Sequence, residues 1–283
     1  MKKFFLILLF FSTLFATSNI TLEKRNLILE MFHYIAKYSS NRDNLNIDAI
    51  IDELKLADQK NMLTKENIYK IVNKYLPKNE GFYPKKEFLK QIKITQNITI
   101  KHFKDILYIK IVSINNLKPI KKLLLSHPKK IIIDFRDNHT MSVDLAYKFA
   151  NMFMDKNEIL TYRKFNKDKI LYANKKTTLV KNAKVVVLVN HNTSKGAEVI
   201  SKTFSVSTNI IILGQDTKGD TALYKIGKLK NGDFYRFRVG EMFYSLFGLI
   251  DGVGFRPDYY IYEDNPPLDK TLISALKYLK VQK

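Results

Sequence analysis

The stretch VVVLVNHNTSKGAEVI, Val185 to Ile200, decides how the rest of the chain is read. Val185 to Leu188 are β-branched or aliphatic and predict a buried strand. Asn190 to Ser194 supply turn chemistry, and Gly196-Ala197-Glu198 open an apolar-periodic helix. A strand that breaks sharply into a helix can present a reactive side chain at the bend. The backbone N–H groups at such a helix start can bind an oxyanion or a carboxylate.

Working outward, Leu107 to Ile111 (LYIKI) lies in a strand-like run, Ile106 to Val112. Ile131 to Phe135 predicts a further buried strand and leads into Asp134-Phe135-Arg136-Asp137-Asn138, after which Val143, Ala146, Phe149, Ala150 and Phe153 give a helix its buried face. On the C-terminal side, Ile210 to Leu213 runs into Gly214-Gln215-Asp216-Thr217-Lys218-Gly219-Asp220. Phe234 to Val239 alternates as a half-exposed strand after the Asn231-Gly232 turn. The sequence Asp251-Gly252-Val253-Gly254-Phe255-Arg256-Pro257-Asp258 precedes a last helix with Leu268, Leu272, Ala275, Leu276 and Leu279 on one face.

In this order the motifs resemble those of the C-terminal processing peptidases, or tail-specific proteases, a serine peptidase family with a Ser nucleophile and a Lys base. The resemblance runs from about Tyr108 to Leu279 and implies an α/β fold, the crotonase-like stack of ββα units that forms the family's core. It also assigns positions. The family's SASASE-like motif places the nucleophile three residues before its Glu, which Glu198 matches, so the nucleophile position holds Lys195. In the family's GExTFGKG-like loop the base lies 25 residues after the nucleophile, and that position holds Asp220. DFRDN is similar to the start of DLRNNPGG, whose glycine backbone helps form the oxyanion hole, but His139, Thr140 and Met141 stand where Pro-Gly-Gly would be. The amide of Gly196 would supply the other half of that hole. Tyr224 stands where the family often has Gln or Glu.

Amide hydrolysis by this route needs a hydroxyl, a neutral amine to take its proton and fixed donors for the tetrahedral oxyanion. A lysine facing a carboxylate stays protonated, so it is a poor base and no nucleophile. The expectation is therefore a catalytically inactive member of the family, a pseudopeptidase that binds polypeptide or a partner protein, with Lys195 and Asp220 as a structural ion pair. The alternative is an active serine endopeptidase that uses Ser194 in an altered turn, with Lys195 or His191 beside it. As a plain structural residue, Ser194 would cap the helix.

Residues 1–18 read as a secretory signal: Lys2-Lys3 form a charged start, Phe4 to Phe15 are almost all apolar, and Ala16-Thr17-Ser18 is a small-residue cleavage pattern. The apolar run falls short of the about 20 residues that span a bilayer. Cleavage would leave no stable membrane span and a secreted or periplasmic protein, whereas retention would make the segment an anchor. With no Cys in 283 residues, the chain forms no disulfide and offers no lipidation cysteine.

Residues 19–90 predict a helical N-terminal region and residues 91–283 the peptidase-like core. Ile28, Met31, Phe32, Ile35 and Tyr38 line one helix face; Ile47, Ile50, Ile51 and Leu54 line a second. Thr64 caps a third, with Ile68, Ile71, Val72, Tyr75 and Leu76 before Pro77. Ile92, Ile94, Ile98 and Ile100 alternate as a strand. Helical patterns fill the interval in which the family usually carries a PDZ module, so none is expected.

The net charge of +21 favours anionic partners. Its lysines are scattered rather than interleaved with stacking aromatics, which argues against nucleic acid. His33, His102, His127, His139 and His191 have no metal-ligand spacing, and Gly214 to Gly219 lacks the spacing of a phosphate loop. Neither a metal nor another cofactor is expected, and the sequence sets no oligomeric state.

Overall fold

The computed structural model describes residues 20–93, 95–165, 167–246, 248, 250–262 and 268–281. The signal-like segment 1–18 and Ile94 lie outside them. The chain divides into two compact units, one holding residues through Lys93 together with Leu223–Val239 and the other the remainder.

The first unit is helical at its start. Helices α1 (Leu22–Tyr38), α2 (Ile47–Gln59) and α3 (Lys65–Lys74) are capped by the side chains of Thr21, Asn46 and Thr64. Their apolar stripes meet in one core, where Ile28, Met31, Phe32, Ile35, Ile50, Leu54, Ile68 and Val72 are buried. Each such side chain contributes about 1.5–3 kcal/mol. Tyr69, outside the expected stripe, is also buried, and its hydroxyl donates to Asp233 at 2.9 Å. Strand β1 (Gly81–Tyr83) pairs antiparallel with Phe234–Arg236, and Phe82, Tyr235 and Phe237 close the core.

The expected strand that began at Ile92 is corrected: Lys85–Ile92 is helix α4, which starts after Pro84 and buries Phe88. Proline fits the start of a helix because the missing N–H has no intrahelical partner there.

The second unit is built on a six-stranded sheet in the order β11-β8-β7-β4-β3-β2. Its strands are β2 (Asn97–Phe103), β3 (Ile106–Ser113), β4 (Lys130–Asp134), β7 (Lys184–Val189), β8 (Ile210–Gly214) and β11 (Tyr259–Tyr260). All neighbours are parallel except the β2–β3 hairpin. Central parallel strands are covered on both faces, which is why KIIID and KVVVLV read as continuous apolar runs. One face, with Ile106, Tyr108, Ile132, Val186, Leu188 and Leu213, packs on Ala275 and Leu279 of the last helix, α8 (Lys270–Val281). Leu268 precedes that helix and is exposed.

Helix α5 (Lys118–Leu124) follows β3 and buries Ile120 and Leu124. Helices α6 (Val143–Ala150) and α7 (Lys195–Phe204) follow β4 and β7, and Phe135, Phe149, Phe153 and Phe204 form a chain of ring contacts among them. Strands β5 (Glu158–Lys164) and β6 (Lys167–Tyr172) make a hairpin, and β5 also pairs with Gly240–Phe243. Ala222–Lys228 is β9, whose partner β10 (Phe234–Phe243) gives its first half to one unit and its last residues to the other. The parallel order brings three loop ends to one edge of the sheet: those after β4 and β7, which lead into helices, and that after β8, which leads into β9.

Candidate active site

The loop after β7 is stitched to the loop after β4. Asn190 accepts the Asp137 amide on Oδ1 at 3.0 Å, and its side-chain amide donates to Asp137 Oδ1 at 3.0 Å. Asn192 donates to the same carboxylate oxygen at 2.9 Å. Burial pushes the Asp137 carboxyl up, but these donors and the Lys110 and Arg136 cations outweigh it and hold it below the usual range. Thr193 Oγ1 donates to the Phe135 carbonyl at 3.0 Å, and the Thr193 carbonyl accepts the Lys218 amide at 3.0 Å. All three loops are thereby held together.

The bend itself is sharp. Lys195 adopts φ +58°, the left-handed region that a side chain disfavours. The next residue must be small, since a Cβ on Gly196 would sit 2.7 Å from both the Met141 carbonyl oxygen and the Ala146 methyl.

The expected residues Lys195 and Asp220 meet. Lys195 Nζ lies 2.5 Å from Asp220 Oδ1 and 3.3 Å from the Ala222 carbonyl oxygen. Their main chains meet too, the Lys195 amide donating to the Asp220 carbonyl at 2.7 Å. The amides on either side are also engaged: Ser194 N–H donates to the Asn138 carbonyl at 2.8 Å and Gly196 N–H to the Met141 carbonyl at 3.0 Å. The Gly196 amide is thus turned towards protein rather than towards a ligand. Met141 is buried, and the Thr140 amide donates to Asn138 Oδ1 at 3.3 Å.

Ser194 occupies the N-cap position of α7 without a side-chain capping bond. It is fully buried, and its Oγ has no hydrogen-bond partner among the described residues. The same holds for the Thr140 hydroxyl oxygen. His191 Nδ1 lies 3.2 Å from Gln215 Oε1 on the surface, not against Ser194. Tyr224 belongs to the other unit, where Arg236 stacks on its ring.

Glu198, which the sequence offers only as a marker of the motif, has a physical task. One turn into α7 and fully buried, it accepts from the Thr217 hydroxyl, from the Gly219 amide at 2.7 Å and from the Asp220 amide at 3.1 Å. Burial raises its pKa, and these three donors oppose the rise without cancelling it. It therefore fixes the loop that carries Asp220. That loop is pinned from its other side as well, because Gly252 N–H donates to the Gly219 carbonyl and Thr221 N–H to Asp251 Oδ1 at 2.8 Å. Among the described residues no group of three His, Asp or Glu side chains could hold a metal ion.

Residues 105–261 match the profile of Peptidase family S41. The chain belongs to this family. A relative in Staphylococcus saprophyticus, named "Probable CtpA-like serine protease", is 28% identical over 137 residues, which take in 48% of this chain and 28% of that protein. The match thus spans less than a third of the relative's length. Among solved structures, a lipoprotein from Streptococcus agalactiae superposes with a TM-score of 0.66 at 16% identity, over 94% of this chain and 100% of that one. The photosystem II D1 C-terminal processing protease superposes with a TM-score of 0.65 at 12% identity, over 86% and 94%. These likenesses establish the α/β fold of the C-terminal processing peptidases, preceded here by N-terminal helices. The family acts on polypeptides, and among the described residues of this chain no helix is long and apolar enough to cross a membrane.

Proposed function

We propose that this S41 chain binds polypeptide, or a partner protein, without hydrolysing it, and that it acts outside the cytoplasm after its first 18 residues have directed secretion. The observation that carries the reading is the Lys195–Asp220 ion pair, formed by the residues that the family resemblance assigns to the nucleophile and base positions. An ammonium held at 2.5 Å by a carboxylate has no lone pair with which to deprotonate a hydroxyl, and at that position there is no hydroxyl. The engaged amides of Ser194, Lys195 and Gly196 support the same reading, because a tetrahedral oxyanion needs donors that are not already spent.

A nucleophilic role for Ser194 would require a base within hydrogen-bond reach, and its buried hydroxyl has no partner of any kind among the described residues. The deciding experiment incubates the purified protein and its Ser194→Ala variant with an unstructured protein substrate. The expected result is tight binding without turnover in both. Cleavage that disappears in Ser194→Ala would overturn the proposal. The variant is expected to be more stable by about 1 kcal/mol, since it removes an unsatisfied buried hydroxyl.

A further inference from the structure

The first unit holds an arginine that is fixed in place and has no counter-ion. In β10, Tyr235 and Phe237 face the helical core, so the residues that alternate with them, Phe234 and Arg236, lie on the other face of the sheet. There the Arg236 guanidinium carbon is 5.1 Å from the ring centre of Tyr83 in β1 and 5.5 Å from that of Tyr224 in β9, the two strands with which this part of β10 pairs. Both are cation–π distances. Nε donates to the Asn79 carbonyl at 2.7 Å and Nη2 to the Tyr83 hydroxyl at 3.2 Å. All of these residues belong to the one unit.

Arg136 and Arg163 have carboxylates to match, Asp134 and Asp269 for the first and Asp168 for the second. Arg236 has none among the described residues, and its Nη1 has no partner there of any kind. It is half-buried, so water and salt screen its charge incompletely. Two rings and two hydrogen bonds already set its rotamer, which lowers the entropy cost of gripping an anion. On the same face the exposed Lys228, its ammonium 5.8 Å from the Phe234 ring centre, also lacks a carboxylate. Ile226, two residues from Tyr224 in β9 and therefore on its face, is 42% exposed. A guanidinium that merely stapled the three strands would need its rings but neither open N–H donors nor a second cation beside an exposed apolar side chain.

We propose that Arg236 receives a side-chain carboxylate from an acidic segment of the bound polypeptide, with Lys228 beside it and Ile226 against a neighbouring apolar side chain. This rests on the reading that the chain binds polypeptide, and adds the chemistry by which one polypeptide is preferred to another. Nη1 keeps both of its N–H donors and Nη2 keeps one, which suffices for a two-pronged bond to a planar carboxylate. A free phosphate would satisfy the guanidinium and leave Ile226 in water, whereas a polypeptide engages both.

The test measures binding of a labelled, unstructured synthetic polypeptide of Gly, Ser, Leu and Glu, and of its counterpart with Gln in place of every Glu. Salt at about 0.15 M screens the diffuse attraction of a chain of charge +21. Wild type should bind the Glu polypeptide at least about ten-fold more tightly than the Gln one, and Arg236→Gln should lose that preference. Arg236→Lys, which keeps the charge but not the fork, should weaken binding of the Glu polypeptide about three-fold. Arg256→Gln removes an exposed charge from the other unit and should change it less than about two-fold. Circular dichroism checks the fold, and the wild-type comparison of the two polypeptides needs no variant. Equal affinity of wild type for both would overturn the proposal, as would a Glu preference that persists in folded Arg236→Gln. Displacement of the Glu polypeptide by inorganic phosphate, but not by acetate at the same concentration, would assign the guanidinium to phosphate and overturn it too. Binding of neither polypeptide would count against this proposal and the polypeptide-binding reading together. Cleavage of the Glu polypeptide, with its affinity still set by Arg236, would support the proposal and count only against the absence of hydrolysis.

Discussion

Two ion-pair sites lie in the second unit, one at the exit of β4 and one at the start of α7, and they use the same chemistry at different depths. Asp134 is fully buried and Arg136 nearly so; the guanidinium binds Asp134 at 2.7 Å and grips both oxygens of Asp269 at 2.8 Å. Tyr108 donates to the same Asp134 carboxylate at 2.8 Å. Lys195 and Asp220, by contrast, keep 20% and 30% of their side-chain surface in water. Taking a charge out of water is costly, so a buried charge depends on every partner it has, whereas a half-exposed one can fall back on solvent. Proximity on its own therefore does not say which pair holds the fold.

The largest expected effect follows from the buried site. Arg136→Leu removes the cation that faces a fully buried carboxylate, and a loss of about 3–5 kcal/mol is expected by urea unfolding. A loss under about 1 kcal/mol would break the comparison, since it would mean that Asp134 reaches water once the guanidinium is gone. The site also has an acid limb. Burial pushes the Asp269 carboxyl up, but Arg136 and the Leu272 amide pull it down further, below the ordinary 3.8. A depressed carboxylate pKa gives stability that is present above the ordinary value and lost as pH falls through the lowered one. Wild type should lose stability over that range, and Asp269→Asn should flatten the loss.

Glu198 sits between the two cases, buried but facing donors rather than a cation. Glu198→Gln keeps one acceptor oxygen and turns an NH2 group towards either the Asp220 amide or the Gly219 amide. A cost of about 1–3 kcal/mol is expected. Here the pH dependence has the opposite sign. With its folded pKa raised above 4.5, Glu198 contributes stability that is fully present below 4.5 and is lost as pH rises through the raised value. The stability advantage of wild type over Glu198→Gln should therefore shrink from acid to neutral pH. An advantage that grows instead would show that the carboxylate form is the one the loop prefers.

Much of this second unit was legible in the sequence because parallel strands, buried on both faces, leave uninterrupted apolar runs between turn signals. KIIID, VVVLV and IIILG announce themselves, whereas only the resemblance to a family pattern, and nothing in the residues themselves, suggested that Lys195 and Asp220 lie near each other. The misreading at Ile92 has a local cause: in PKKEFLKQI a short helix with one buried Phe leaves too weak a period to outvote the isoleucines that follow. Other features had no local signal at all. That Leu223–Val239 joins the helical unit is a long-range pairing between Gly81–Tyr83 and Phe234–Arg236. Arg136 reaching Asp269 spans 133 positions. The engaged amide of Gly196 depends on where the Met141 carbonyl falls, and residue identity does not determine that.

The smallest effect belongs to the Lys195–Asp220 pair, and it sharpens the comparison most. Lys195→Met and Asp220→Asn, alone and together, form a double-mutant cycle whose coupling isolates the ion pair from the changes each makes separately. For side chains this exposed, a coupling of about 0–1 kcal/mol is expected, falling with added salt because exposed charges are screened. Lys195→Gly adds a separate handle: it deletes the ammonium but relieves the left-handed φ of +58°, worth about 1–2 kcal/mol, so its net change should be near zero or stabilising. A coupling of about 3 kcal/mol, insensitive to salt, would instead place Lys195 and Asp220 in the same energetic class as Arg136 and Asp134. The pair would then be a clamp that holds the loops after β7 and β8 together, rather than a nearly neutral surface contact.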